Sequence, residues 1–241
     1  MARRNVFLSG NGKRYVKIVS VDFKWIKGLS IKQKRENIKS LHESFKATHP
    51  NVRILEISTK SEEPLGKNLS SMNLKINLSV LLKNFEEVKE KYSLDRNIFH
   101  VENVFQSSKV FENGGPYYDL LIKKPTTIKK DQRLRESGKL VEFNLFGDSW
   151  PLKPETAFYD WLYINAVLQY KELFERVVEY DAFTDIEFNP KRSKNCQARA
   201  AAMLVSLYRQ SEISLKDDFI DKERFLRFYT QEMTLFNQGG E

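Results

Sequence analysis

The sequence predicts an α+β fold that is mostly helical, with its strands gathered before residue 80. Three observations carry this. Short runs rich in Val and Ile, bounded by turn residues, fall in the first 80 positions. From residue 100 onward the apolar residues recur mainly at helical spacing. The 241 residues hold no internal repeat, low-complexity tract or long Pro/Gly/Ser linker, which suits one large domain or two small ones.

The elements follow in order. After the Asn11-Gly12 turn signal, Lys13 to Val19 reads as a strand. Ser30 caps a helix from Ile31 to about Ala47, with Ile31, Ile38, Leu41 and Phe45 on one face and Lys32, Lys34, Arg35 and Lys39 covering much of the rest. Val52–Ile57 and Asn73–Leu78 read as strands, and 79–92, with Leu81, Leu82, Phe85 and Val88, as a short amphipathic helix. Val101, Val104, Ser108 and Phe111 mark a helical face that ends at Asn113-Gly114-Gly115-Pro116. Thr127–Lys139 reads as a basic helix. Pro154 stands in the first turn of an aromatic-rich helix to about Glu179. An acidic turn spans 183–190, and Ser193 caps a helix through Arg209 whose Ala198, Ala201 and Ala202 allow close packing. A last helix covers about 216–236.

Charge and cysteine content narrow the setting. Residues 1–50 carry 12 Lys/Arg against Asp22, Glu36 and Glu43, so the whole excess of the +8 chain lies in its first fifth. Such a stretch suits an anionic partner, nucleic acid above all, or a solvated face that maintains solubility. The organisation expected is a basic strand–helix–strand region over 1–60 packed on a core over 61–241, as one compact unit. The single Cys196 excludes an intramolecular disulfide. No stretch approaches the ~18 apolar residues of a membrane span. With no leader pattern at the basic N-terminus, the expectation is a cytoplasmic protein without membrane contact.

Well-marked catalytic motifs are missing. His42, His49 and His100 are scattered, so neither zinc nor another metal is expected. There is no Walker loop, dinucleotide fingerprint or GxSxG elbow, and no cofactor is expected. Glycosidic-bond hydrolysis survives this elimination, because it needs only one or two carboxylates and a pocket.

Three segments could build such a pocket. In His100–Phe111, Glu102, Gln106 and Lys109 stand at i, i+4 and i+7, which on a helix is one polar face opposite the apolar one. That row could line a ligand pocket or be an exposed ion-paired surface. In Phe183–Pro190, followed by Asn195-Cys196-Gln197-Ala198, carboxylates stand among aromatics just before a helix N-terminus, where free N–H groups can hold phosphate and Asp185 can orient ribose hydroxyls. A capped turn accounts equally well for that pattern. Leu65–Leu74, with one glycine and several small polar residues, is a plausible pocket loop.

In order and approximate spacing these segments resemble the NADAR (YbiA-like) superfamily, whose members carry "LSNF", "svEhyyQaqK", an acidic "DxxWG" turn and a helical "NxLGxxLM". Leu69-Ser70-Ser71-Met72 stands where LSNF would, and Val101-Glu102, Phe105-Gln106 and Lys109 match the second motif closely. Asp185 and Phe188 stand for the Asp and Trp, and Asn195, Ala198 and Met203 match the last helix with alanine for glycine. Trp25 to His42, Glu56 to Leu74, Val101 to Leu120 and Lys130 to Asn195 resemble in particular the NADAR antitoxins associated with DarT-type DNA ADP-ribosyltransferases. The resemblance implies a NADAR-like core and an enzyme that removes ADP-ribose from modified guanine in DNA, with a DarT-type toxin as counterpart. It implies Glu102, Lys109 and Asp185 as catalytic residues. Ser70, Ser71, Asn73, Phe105, Gln106, Phe188 and Asn195 would contact substrate, and Lys32, Lys34, Arg35 and Lys39 would track nucleic-acid phosphates. A carboxylate can stabilise the oxocarbenium-like state, or the lysine can attack the ribose C1 and form a Schiff base. The alternatives are an N-glycosidase acting on a free nucleotide intermediate and a non-catalytic nucleic-acid- or toxin-binding protein.

Overall fold

Two apolar clusters, one on each face of a four-stranded sheet, organise the chain. The computed structural model describes residues 1–12, 14–189 and 195–238, with side chains through residue 230. Strand β1 spans Ala2–Ser9 and β2 spans Val16–Phe23. The sequence pattern does not reveal β1, whose Arg3-Arg4-Asn5 start hides its alternation. Lys13, the expected start of the second strand, lies outside the described residues. Helix α1 (Ile31–Lys46) begins as predicted: Ser30 Oγ accepts from the Gln33 N–H at 3.2 Å, and Gln33 Oε1 accepts from the Ser30 N–H at 3.2 Å. Ile38, Leu41 and Phe45 are buried, while Ile31 is exposed.

Next come β3 (Ile54–Glu56), α2 (Pro64–Asn68) and β4 (Lys75–Asn77). The helix predicted over 79–92 is divided into α3 (Leu78–Leu81) and α4 (Phe85–Lys91), and β5 (Ile98–His100) follows. The next segment corrects the sequence reading. Helix α5 covers only Val101–Ser107, and Lys109 opens strand β6 (Lys109–Phe111). The Ser107 and Ser108 hydroxyls both donate to the Val104 carbonyl, at 3.0 and 2.8 Å. The N–H groups of Tyr117 and Asn144 then take the carbonyls of Ser107 and Ser108, at 2.8 and 2.7 Å. These bonds replace the next helical turn. No face of α5 is open to solvent along its length, since all seven residues are buried.

The predicted basic helix over 127–139 is also broken, into α6 (Pro125–Ile128) and α7 (Arg133–Glu136). Between them Asp131 Oδ1 accepts from Arg133 N at 3.2 Å and from Arg133 Nε at 2.9 Å, which closes a turn. The hairpin β7 (Leu140–Leu145) and β8 (Asp148–Trp150) follows, so strands are not confined to the region before residue 80. Its two turn residues, Phe146 and Gly147, both have positive φ (52° and 101°), as a two-residue hairpin turn requires. The long helix predicted from Pro154 is α8 (Ala157–Leu168) and α9 (Lys171–Val177). Strand β9 (Ala182–Thr184), α10 (Gln197–Arg209) and α11 (Lys222–Gln238) complete the chain. Ser193, the predicted cap of α10, lies outside the described residues, and Cys196 occupies the N-cap position.

The main sheet has the order β2-β1-β9-β3, with β3 parallel to β9 and the other pairings antiparallel. Alternate residues face opposite sides. Val6, Ile54 and Ala182 join Ile38, Leu41 and Phe45 of α1 in the smaller cluster. Phe7, Leu55 and Phe183 join the larger one, built on α8 and α10. Every residue of α8 is buried, α10 packs on it, and Ala198, Ala201 and Ala202 of α10 are buried. The charged members of this core are paired: Asp160 of α8 accepts from Arg199 of α10 and from Tyr229 of α11. Among the described residues, no helix is long and apolar enough to cross a membrane.

Candidate active site

A cavity of about 920 Å³ opens where α5, the turn before β4, the turn after β9 and the N-terminal region meet. Glu102 lies at its floor, 3% exposed. Its first-turn place on α5 is fixed by the backbone, because Glu102 N donates to the Ser71 carbonyl at 3.1 Å. Ser71 Oγ donates to Glu102 Oε2 at 3.1 Å, and Gln106 Nε2, one helical turn on, donates to Oε1 at 2.8 Å. The Lys129 ammonium stands 3.3 Å from Oε1. A buried carboxylate with these partners is held in one orientation.

Lys109 reaches the same cavity from a strand. Its register is set by pairing with Phe143 of β7 and by Gly115, where an added Cβ would stand 2.3 Å from the Lys109 carbonyl oxygen. The ammonium lies over the Phe105 ring, 4.9 Å from its centre. Burial lowers the Lys109 pKa to about 8; the neighbouring Glu102 charge opposes this and the Lys129 charge assists it. Phe105 in turn packs edge-on against Tyr159, whose hydroxyl burial pushes far above its ordinary pKa.

Asp185 faces Glu102 through a hydrogen-bonded relay. Its Oδ1 accepts from the Glu187 and Phe188 N–H groups at 3.0 and 3.2 Å, so the side chain closes its own turn. Its Oδ2 accepts from Gln197 Nε2 at 3.0 Å, while Gln197 Oε1 accepts from Ser71 N at 2.8 Å. Ser71 thus connects both carboxylates. Burial, followed by the charge of Glu56, raises the Asp185 pKa. Glu56 is buried behind it, where burial likewise raises its pKa, and it accepts from Thr184 Oγ1 at 2.6 Å and from the Ile186 N–H at 2.9 Å. With the Thr184 proton directed to Glu56, His42 Nε2 is left to donate to Thr184 Oγ1 at 2.8 Å; burial lowers the His42 pKa to about 4, so the ring is neutral.

The remaining expected residues divide. Ser70, Ser71, Phe105, Gln106, Phe188 and Asn195 line the cavity with Glu102, Lys109 and Asp185. Asn73 does not: it is exposed, and its Nδ2 donates to the Lys67 carbonyl at 2.8 Å. Of the four lysines and arginines assigned to nucleic acid, Lys34 lines the cavity instead of an outer face. Arg35 is 4.0 Å from Glu62, Lys39 is 3.9 Å from Glu43, and Lys32 is exposed. Sequence reasoning missed Gln197 as a site residue, and also Lys129, Tyr159 and Arg4. Gln197 belongs to the segment singled out around Asn195, and its place in the first turn of α10 was the available signal. Arg4 gave none, because β1 itself was not legible.

The fold and site define an α+β protein in which a single cavity brings together the Glu102 and Asp185 carboxylates, a lysine of lowered pKa and further cations. The sequence profile of the DarT1-associated NADAR antitoxins matches residues 2–238, and the chain belongs to that family. A comparison with curated proteins finds no match.

Proposed function

We propose that the chain is an ADP-ribosyl-guanine glycohydrolase that removes ADP-ribose from modified guanine in DNA, and so counters a DarT-type toxin. The observation that carries this reading is the placement of Glu102, Lys109 and Asp185 around one cavity, with Ser71 and Gln197 linking the carboxylates. The ribosyl–guanine bond is attacked at C1 by Lys109 Nζ. The new C–N bond forms as the bond to guanine breaks, and its electron pair and a proton pass to the guanine nitrogen. Opening of the ribose ring gives an imine, and addition of water returns the free amine and ADP-ribose.

Glu102, fixed beside the reacting carbon, stabilises the positive charge that develops there. Asp185, with a raised pKa, orients a ribose hydroxyl and exchanges protons near neutrality. The lowered Lys109 pKa favours the amine route over one in which a carboxylate acts alone, because it supplies neutral amine near physiological pH. The test is incubation with an ADP-ribosylated guanine oligonucleotide. Release of ADP-ribose is expected; binding without release, or cleavage of free nucleotides only, refutes the assignment.

A further inference from the structure

The N-terminal region contributes to the cavity wall a cluster that the proposed chemistry does not use. Arg4 of β1, Trp25 of the loop after β2 and Lys34 of α1 all line the cavity. The Arg4 guanidinium lies over the Trp25 ring at 5.3 Å and the Lys34 ammonium at 5.9 Å. The loop that carries Trp25 is fixed from below: fully buried Asn37 accepts from Ile26 N at 2.8 Å and donates to Ile26 O at 2.9 Å. The platform is therefore built by long-range contacts between three elements.

Its charge is unbalanced. Lys34 and Lys60 share one carboxylate, Glu187, at 3.7 and 3.8 Å. Among the described residues Arg4 has no carboxylate partner, and its Nε is buried without an acceptor. Lys34 of the cavity wall thus shares Glu187 with Lys60, which lies outside the lining, and with Arg4 the cluster keeps a net positive charge. Arg4 Nη1 donates to the Arg3 carbonyl at 3.0 Å, and a planar guanidinium on a cavity wall suits phosphate oxygens in particular. With two cations over the indole, the cluster presents positive charge to the cavity.

A chain of contacts connects this cluster to the carboxylates. From the reacting end, Glu102 bonds to Ser71, Ser71 to Gln197, and Gln197 to Asp185. Asp185 bonds to the N–H of Glu187, whose side chain faces Lys34 beside Trp25 and Arg4. The cations thus face the loop that carries Asp185, on the wall of the same cavity. A ribose held between Glu102 and Asp185 would have its 5′ substituent in the cavity that these cations also line. We propose that Arg4, Trp25 and Lys34 form a subsite for the diphosphate of a nucleoside diphosphate, in the substrate of the preceding reading the diphosphate of ADP-ribose. This deepens that reading and rests on it for the identity of the sugar.

ADP and inorganic pyrophosphate are the probes, titrated into the full chain by calorimetry and by tryptophan fluorescence. Trp150 and Trp161 are buried, so Trp25 is the tryptophan placed to respond. ADP is expected to bind and change the emission, and Trp25→Phe to abolish that change. Arg4→Gln and Lys34→Gln are expected to weaken ADP by about 10- to 100-fold each, as loss of a charge-assisted hydrogen bond does. Lys24→Gln, on the exposed loop outside the cavity, serves as the control, and thermal unfolding checks that each variant folds. Absence of ADP binding, or equal affinity in wild type and folded variants, overturns the proposal. So does loss of affinity for an unmodified single-stranded oligonucleotide while ADP affinity is kept, because the cations would then serve the nucleic-acid backbone. A chain that binds ADP through Arg4 and Lys34 yet releases nothing from ADP-ribosylated guanine keeps the subsite and refutes the activity. An active enzyme whose Arg4→Gln variant has an unchanged KM does the reverse.

Discussion

If Lys109 attacks as a neutral amine, the rate follows its deprotonation. With a pKa near 8, about a tenth of the amine is neutral at pH 7, half at pH 8 and about nine-tenths at pH 9. The expected outcome is a rise in kcat/KM of roughly tenfold from pH 7 to pH 9, levelling above, with Lys109 as the group that sets the midpoint. The sign is specific. A lysine needed only as a cation against phosphate would give the opposite profile, falling as pH rises through the same value. A second perturbation moves the midpoint. Lys129 contributes to the depression of the Lys109 pKa and also holds Glu102, which acts in the other direction. Lys129→Gln removes the repulsion and leaves the Glu102 charge more available to Lys109, so both changes shift the profile to higher pH. The assay is ADP-ribose release from an ADP-ribosylated guanine oligonucleotide across pH 6–10, with borohydride added in parallel to trap the imine as a mass adduct on Lys109. Lys109→Arg is expected to be inactive, since arginine keeps its proton at these pH values. A falling profile, no adduct and an active arginine variant would together refute the amine route.

Other substitutions have defined outcomes. Glu102→Gln is expected to keep the fold, because an amide can still meet Ser71 and Gln106, and to lower turnover by ~10²-fold or more, read by single-turnover release and circular dichroism. Asp160→Ala removes the buried carboxylate that accepts from Arg199 and from Tyr229, and should cost about 3–5 kcal/mol and lower Tm by roughly 10 °C in calorimetry. Reversing Lys32 and Lys39 to Glu should weaken binding of modified DNA and reduce the slope of log K against log salt by about 0.9 per lost phosphate contact, with ADP affinity unchanged. An unchanged salt slope would remove these two lysines from the nucleic-acid surface.

What the sequence made legible depended on whether the signal was local. The capping box at Ser30 and Gln33 uses atoms three residues apart, and α1 begins where it says. The alanines of α10 announced close packing, and all three are buried in a helix that packs on α8. Elements defined by distant partners were not legible. Strand β1 exists through pairing with β2 and with β9, some 175 residues away, and β6 exists because β7 lies beside it. The two serines after Gln106 and the alternation of Leu140–Trp150 were the traces of that arrangement, and both are weaker than the apolar spacing that suggested continuous helix.

The Glu102–Lys109 pair shows what this means for function. The i, i+7 spacing suggested two turns of one helix with about 10 Å between the residues along the axis. The chain instead leaves the helix at Ser107 and turns into a strand, which puts the two side chains in the same cavity from different elements. Their grouping follows from the motif, but their geometry follows from β7 and Gly115, which no spacing rule contains. The basic N-terminus is a parallel case. Its excess charge is real, yet it is divided between surface residues such as Lys32 and the cavity residues Arg4 and Lys34. Net charge alone could not separate a face that meets a polyanion from a pocket that meets one diphosphate. The distinction comes from burial and from Trp25, and it is why mutations on this one region should affect DNA and ADP binding independently.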